Sequence, residues 1–512
     1  MTIESPSLAS TGDGCIAALD LGSNSFHLLI ARIDADKIYY LDRHKEVVRM
    51  AAGLDSSDRL SDAIMQKASE ALRKFAEFIA GIDKRSVRVV GTNTLRAAKN
   101  ADEFLVQAEA ILGVPIDIIS GVEEARLIYL GVTQDLAPGE RRRLVVDIGG
   151  GSTELIIGEG LVPKQLESLY MGCVSYSGRF FPKHQVAQES YDKAVRAARR
   201  ELRNHTSLFS SNNWGEAVGS SGTIRAVGSV IDNNWPENHT ITLSGIEKLA
   251  KRLIKSGDMQ TIQLAGLKDE RRQVIAGGLA ILHAIFLELG LDKMQVSNYS
   301  MKEGIIHDLA GRVRQADARD VTVTNMMNNY RVDQAKARQV EKDALVLLEH
   351  VKEHVGIDLP QARRLLSWAS SLHEIGLSIS HNGYQKHGAY ICLNADMLGF
   401  SKLEQKQISF LILNHRRRLR AVAESYHFSP EWVLVLVFRL ACLFNRSRLG
   451  NDLPPLSITV AKKTFCLNIA ADWLEQYPLT RDDLDAEGQY WVSEDIQFKL
   501  VALPADAAIA LA

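Results

Sequence analysis

Five cysteines are spread over 512 residues: Cys15, Cys173, Cys392, Cys442 and Cys466. They are odd in number and form no CxxC, so they offer no thiolate metal site and suit a reducing cytoplasm. Long apolar runs are also missing. Trp432–Phe438 is apolar throughout but ends at Arg439; it is too short to span a bilayer and reads as a buried helix. The polar stretch Met1–Gly14 lacks the apolar centre of a signal peptide. Neither charge sign dominates. Lys plus Arg total 60, Asp plus Glu total 62, and the net charge is −2. A wholly basic nucleic-acid-binding surface is thereby excluded, while a local basic groove is not. No short-period solenoid repeat is visible.

What is present is a chain too long for one ordinary core, for which three or four domains are expected. Hydrophobic residues make up 46% and charged residues 24%, as in a soluble globular protein. Two short apolar runs end in glycine-rich turns with an Asp at each tip. The first is Ile16-Ala-Ala-Leu-Asp20-Leu-Gly22-Ser23-Asn24-Ser25. The second is Leu144-Val-Val-Asp147-Ile-Gly149-Gly150-Gly151-Ser152-Thr153-Glu154. A strand running into a turn dense in amides and hydroxyls can hold an oxyanion, and its Asp can hold a cation beside it. Two facing copies would grip phosphates from both sides of a cleft.

The alternation of elements predicts two α/β units. In the first, strands over 16–31 and 38–41, a helix over 61–80, and strands at Val87–Gly91 and Ile116–Ile119 precede a helix near Glu123. In the second, strands at Leu144–Asp147, Glu154–Gly158 and Val162–Leu166 precede a helix at Gln188–Leu202. Trp214–Val218 then leads to a hydroxyl-rich turn, Gly219–Thr223. Helices near 245–256, 266–289 and 302–310 follow, with a strand at Met294–Val296. Helical patterns at 331–350, 360–371, 384–395, 401–414 and 431–444 dominate the next region. Strand alternation returns at Leu456–Val460 and Thr464–Ile469. The expected domains are 1–128, 129–312, 313–450 and 451–512.

Neither turn is a Walker A motif, for no Lys follows the glycines. Nor is Gly149–Gly151 a dinucleotide fingerprint; its spacing differs and strands follow it. Alone it could be a plain hairpin turn, and its match to residues 20–22 favours function. Asp20 and Asp147 suit Mg²⁺ or Mn²⁺ bridged to phosphate oxygens, although a lone strand-end Asp can also cap a turn. With no HxxxH, HExxH or three-histidine set nearby, zinc is not expected.

In Ser120-Gly121-Val122-Glu123-Glu124 the adjacent carboxylates point about 100° apart on a helix, so only one can face a cleft. Ser120 as N-cap and Glu123 at the third position account for Glu123. Glu124 remains free to orient or deprotonate water. Arg96 suits a phosphate fork or a solvated surface. His373, His381, His387 and His415 read as structural or surface residues, because His373 is followed by Glu374 and not by the Asp of a metal-binding His-Asp pair. The run Asn414–Arg420 reads either as a solvated helix face or as a contact for a long polyanion.

Several strings together resemble the exopolyphosphatase/guanosine pentaphosphate phosphatase family over nearly the full chain. They are Ala18–His27, Gly91–Arg96, Ile119–Ile128, Val146–Leu155 and Met171–Val174. In appearance the chain is nearest to the long bacterial exopolyphosphatases. The resemblance implies a duplicated sugar kinase/Hsp70/actin-type (ribonuclease H-like) α/β core, followed by an incomplete histidine–aspartate-like helical domain and a small C-terminal α/β domain. It implies that Glu124 is the catalytic glutamate and that Asp147, with Glu154 and Asp20 as further candidates, is tied to Mg²⁺. Ser23, Asn24, Arg96, Gly149, Gly150, Gly151, Ser152 and Thr153 fall in its phosphate-contacting motifs. The expected activity is Mg²⁺-dependent, processive release of orthophosphate from the ends of inorganic polyphosphate, with Mn²⁺ as a substitute and no organic cofactor. The alternatives are removal of the 5′-terminal phosphate of guanosine pentaphosphate in the stringent response, an ATP-dependent kinase, and a non-enzymatic phosphate sensor or scaffold. A cytoplasmic homodimer is expected, without a specific nucleic-acid partner or transmembrane segment; peripheral membrane association stays open. Arg416, Arg417, Arg418 and Arg420 are the candidate polyphosphate track.

Overall fold

The computed structural model describes residues 14–35, 37–136, 142–235, 240–313, 317–420, 428–429, 431–446 and 452–504. Of the polar N-terminal stretch, residues 1–13 lie outside them. The chain divides into two units, Met1–Asp317 and Ala318–Ala512.

The first unit holds two sheets. Strand β1 (Cys15–Leu21) is buried along nearly its whole length, as expected of a central strand covered on both faces. It pairs antiparallel with β2 (Phe26–Asp34), which pairs with β3 (Lys37–Glu46). After helix α1 (Asp62–Ile79), strand β4 (Val87–Gly91) returns parallel to β1. Helices α2 (Asn93–Ala97) and α3 (Ala101–Leu112) lead to β5 (Ile116–Ile118) and α4 (Gly121–Thr133). The sheet order is β3-β2-β1-β4-β5.

The second sheet is built from β6 (Arg143–Ile148), β7 (Thr153–Glu159), β8 (Val162–Leu169), β9 (Glu216–Ser220), β10 (Ile241–Thr242) and β11 (Lys293–Val296). Its order, β8-β7-β6-β9-β11-β10, repeats that of the first sheet with β10 added. Again an antiparallel meander precedes a strand, β9, that pairs parallel with the first strand, β6. Helices α5 (Cys173–Phe180), α6 (Gln188–Leu202), α7 (Thr206–Phe209), α8 (Ser221–Asn234), α9 (Leu243–Ser256), α10 (Asp269–Arg272), α11 (Ile275–Leu289) and α12 (Met301–Val313) accompany it. The single helix expected over 266–289 is thus two helices separated at 273–274. Strand β9 also begins and ends two residues later than the sequence suggests, carrying Ser220 into the sheet.

Helices α4 and α12 pack between the sheets. Their Leu127, Ile128, Ile305 and Ile306 share one core with Ala18 and Leu29 of the first sheet and Val145 and Ile156 of the second. The helices cross closely. A Cβ on Gly304 would lie 1.8 Å from the Leu127 carbonyl oxygen, so no larger residue fits there.

The second unit contains α13 (Ala318–Asn329), α14 (Gln334–Val351), α15 (Leu359–Leu372), α16 (Tyr384–Asn394), α17 (Lys402–Asn414) and α18 (Trp432–Phe444). It ends with β12 (Leu456–Ala461), β13 (Thr464–Ala470), α19 (Ala471–Gln476), α20 (Pro478–Trp491) and β14 (Gln497–Leu503). The helices and the terminal sheet share one hydrophobic core. Arg439 of α18, buried, makes a two-pronged ion pair with Glu487 of α20. Arg416–Arg420 follow the end of α17 and so do not form a helix face. Arg416 instead lies over the Tyr384 ring, 4.7 Å from its centroid. His373 and His415 are buried with ring centroids 5.5 Å apart. Among the described residues no helix is long and apolar enough to cross a membrane.

Candidate active site

The two Asp-tipped strands arrive at one cavity of about 110 Å³. Register gives the Asp residues equivalent places. Asp20 sits opposite His27 on β2, and Asp147 sits opposite Glu154 on β7 and Ser220 on β9. Directly opposed residues of a ladder share one face of the sheet, so each hairpin carries a second polar group beside its Asp. The turns that follow touch. A Cβ on Gly150 would lie 3.0 Å from Ser23 Cβ and 3.1 Å from Asn24 N. Gly149 N donates to Ser152 O and closes its own turn, while Gly150 O accepts from Val174 N at the start of α5. Thr94 Oγ1 donates to Ser23 Oγ at 2.7 Å and fixes that hydroxyl.

Helix α4 brings Glu124 to the same cavity. Ser120 Oγ accepts from Glu123 N at 3.2 Å, which caps the helix. The two glutamates then part. Glu123 is fully buried, and both its oxygens accept from Arg126 rather than serving the helix end. Glu124 lines the cavity. Arg96 Nη1 donates to Glu124 Oε2 at 3.0 Å and to Ile119 O at 2.8 Å. Burial pushes the Glu124 carboxyl upward and Arg96 partly opposes it, leaving an oriented carboxylate of raised basicity.

The remaining acids raise one another. Asp20 is pushed up to about 8 by burial, then by Glu124 and Asp147. Asp147 is pushed up to about 6, chiefly by burial, with Ser220 acting against it. Glu154 is held well above the usual carboxylate range by burial and by Glu124 and Asp147. Asp20 Oδ1 is buried and accepts no hydrogen bond. An all-oxygen donor set with an orphaned carboxylate oxygen fits a hard divalent cation. Among the described residues no group of three or more His, Cys, Asp or Glu is placed to hold a metal ion by itself.

Asp20, Ser23, Asn24, Glu124, Asp147, Gly149, Gly150 and Ser152 line the cavity together. Arg96, Gly151, Thr153 and Glu154 are not among its lining residues. Arg96 holds Glu124, Glu154 accepts from Ser168 Oγ at 2.8 Å, and Thr153 donates to Met171 O at 2.6 Å. Sequence reasoning missed His27, Arg225, Arg271 and Ser300, which also line the cavity. Burial and nearby cations, Lys302 first among them, keep His27 neutral. The hydroxyl-rich turn before α8 was a usable signal, because Ser221, Gly222 and Thr223 form part of the wall.

A family model described as the Ppx/GppA phosphatase family matches residues 29–313, more than half of the chain. The chain belongs to the Ppx/GppA phosphatase family. A second model, of Ppx/GppA phosphatase domain III, matches residues 318–488. Among solved structures, an exopolyphosphatase from Cytophaga hutchinsonii is 23% identical, with a TM-score of 0.53 over 58% of this chain and 98% of its own. At that identity the likeness shows the fold. An exopolyphosphatase-like protein is 26% identical, with a TM-score of 0.52 over 58% of this chain and 99% of its own. This Ppx/GppA member is an enzyme, a phosphohydrolase whose cavity presents one oriented glutamate to two glycine-rich turns.

Proposed function

We propose that the protein is an exopolyphosphatase that hydrolyses the terminal phosphoanhydride of inorganic polyphosphate and releases orthophosphate. The observation that carries this reading is Glu124, held by Arg96 at 3.0 Å at the edge of a cavity shared with both phosphate-type turns. Ser23, Asn24, Gly149, Gly150 and Ser152 cradle and orient the terminal phosphoryl group. Glu124 orients the attacking water and takes its proton at the carboxylate, leaving that oxygen nucleophilic towards phosphorus. Asp20 and Asp147, with Glu154 behind them, would hold Mg²⁺, which would offset the negative charge of the phosphoryl group. Orthophosphate departs after the anhydride bond breaks, and the shortened chain becomes the next substrate.

The recurring strand order supports reading the two lobes as copies of one ancestral unit of the sugar kinase/Hsp70/actin type. The helical unit is read as an incomplete histidine–aspartate fold. Lys336 Nζ donates to Glu374 at 2.8 Å beside His373, where an ammonium is poorly compatible with a metal centre. Arg416, Arg417, Arg418 and Arg420 are assigned to holding long chains by charge. The enzyme works as a cytoplasmic homodimer.

A substrate panel at saturating Mg²⁺ tests the assignment. Long polyphosphate should exceed tripolyphosphate, guanosine pentaphosphate and ATP in kcat/KM. Preference for guanosine pentaphosphate over long polyphosphate would overturn it.

A further inference from the structure

Residues 268–273, which include α10 (Asp269–Arg272), lie between α9 and α11 and reach across to the part of the chain that carries the first sheet. Lys45 Nζ of β3 donates to Glu270 Oε1 at 2.5 Å, and Arg49 Nη1 donates to Gln273 Oε1 at 2.6 Å. Between these ties Arg271 lines the cavity, packed so tightly on Gly222 that a Cβ there would lie 1.8 Å from its Nη2.

The anchors on the first lobe belong to the site's own framework. Lys45 pairs in register with His27, which lines the cavity. Arg49 N donates to Asn24 O at 2.8 Å and Ala51 N to Ser23 O at 3.0 Å. The crossing segment is therefore tied to the loop that meets Gly150.

Topology fixes the side of the cavity on which this crossing lies. In the first sheet the anchors follow β3, and Glu124 follows β5, with the Asp20 strand between them. In the second lobe the start of α4 abuts β8, where a Cβ on Gly121 would lie 2.6 Å from Ser168 Cβ; the crossing abuts Gly222, beyond β9, with the Asp147 strand between. Glu124 and the crossing thus stand on opposite sides of the Asp pair. Attack on a phosphoryl group is in line, so water at Glu124 places the leaving chain on the far side. That side carries Arg225 and Arg271.

We propose that residues 268–273 form a strap over the departing polyphosphate chain, so that the chain enters end first and is retained beneath the strap between successive cleavages. This rests on the exopolyphosphatase reading. The strap is built to open. Lys45 and Glu270 keep 30% and 36% of their side-chain exposure, and ion pairs this exposed are weak. This ion pair and the single hydrogen bond from Arg49 to Gln273 hold a long chain through several turnovers without trapping it.

The test is the product distribution during limited hydrolysis of long polyphosphate, with excess unlabelled polymer added as a trap. Wild type should give orthophosphate and residual long chains with few intermediates. E270K combined with Q273A should give a ladder of intermediate lengths, with run length shortened about tenfold by faster chain release. Its kcat on tripolyphosphate should stay within about twofold, which also reports that it folds. Adding K45E to E270K, with Gln273 intact, restores the tie with charges exchanged and should restore long runs. Equal processivity in wild type and the opened variant overturns the strap alone, as does a wild type that releases its chain after every cleavage or a collapse of tripolyphosphate turnover in the variant. If wild type releases no orthophosphate from any polyphosphate, the functional reading fails and the strap falls with it.

Discussion

Glu123 and Glu124 are neighbours on one helix and belong to opposite kinds of buried charge cluster. Glu123 joins Arg126, Arg88, Asp308 and Arg312 where α4 meets α12. Arg126 Nη2 donates to Asp308 Oδ1 at 2.5 Å and Arg88 Nη1 to Asp308 Oδ2 at 2.6 Å. Arg312 Nε reaches the same carboxylate at 3.0 Å. Although burial alone would raise it, the three guanidinium groups hold Asp308 well below the usual carboxylate range. Glu124 joins Asp20, Asp147 and Glu154, where acids outnumber cations and each is raised. One cluster, which Asp117 joins through Arg88, pairs its charges from within and holds elements together. The other is dominated by burial, so its carboxyls resist ionisation, a state that the rest of the fold sustains and that becomes useful when a cation and phosphate arrive.

The sharpest way to break the comparison is to neutralise one acid in each cluster. Glu124→Gln should fold normally and lose roughly 10²–10⁴ in orthophosphate release, the usual cost of removing a general base. Near-normal turnover by the purified variant would end its catalytic role. On the paired side, Asp308→Asn leaves Arg88 and Arg126 without their shared partner. It should cost about 3–5 kcal/mol in denaturant unfolding, as expected for a broken buried ion network. A loss below about 1 kcal/mol would show that the network is not structural.

Asp147→Asn should raise the Mg²⁺ concentration needed for half activation and lower kcat, because an amide attracts the cation less. An unchanged magnesium titration would remove Asp147 from the metal's surroundings.

pH separates the clusters by sign. Asp20 and Asp147 have raised pKa values, so their contribution to metal-free stability is full below their unfolded value of 3.8. It is lost as pH rises through about 6 for Asp147 and about 8 for Asp20. Asp20→Asn should therefore stabilise the metal-free protein at pH 8 and do so less at pH 5. Asp308 is depressed; its contribution is present above 3.8 and fades only as pH falls below that value. Thermal melts across pH without divalent cations would show both trends, and the same sign for D20N and D308N would collapse the distinction.

The smallest effect is expected in the second unit. Neutralising Arg416, Arg417, Arg418 and Arg420 should weaken long-chain binding and its salt dependence, with little change on tripolyphosphate. No change in the salt slope would leave these residues as ordinary surface, apart from Arg416 on Tyr384.

Much of the site was legible because local chemistry announces itself. Asp20 and Asp147 could be found from apolar strands that stop at glycine and hydroxyl residues, and Ser120 from its place before the glutamate pair. The amphipathic helix over 61–80 was equally plain, with Ala68, Leu72, Phe75 and Ile79 buried on one face. Strand β14 (Gln497–Leu503) was not found, since the alternation of Gln497 to Leu500 is short and breaks at Val501 and Ala502, which are both exposed. The break at 273–274 was hidden because apolar periodicity reads through it.

The sequence by itself determined that two Asp-tipped turns would exist, that only one glutamate of an adjacent pair could face a cleft, and that the chain carries its family's motifs in order. These are local facts, set by backbone amides, side-chain length and a helix's 100° step. Only the tertiary structure decided that Gly150 meets Ser23, that Arg96 is spent on Glu124, and that Asp308 accepts from both Arg88 and Arg126. It alone put Lys45 against Glu270, 225 residues away in sequence. Such pairings depend on which surfaces bury together, and no local periodicity encodes the partner of a charge that lies hundreds of residues off.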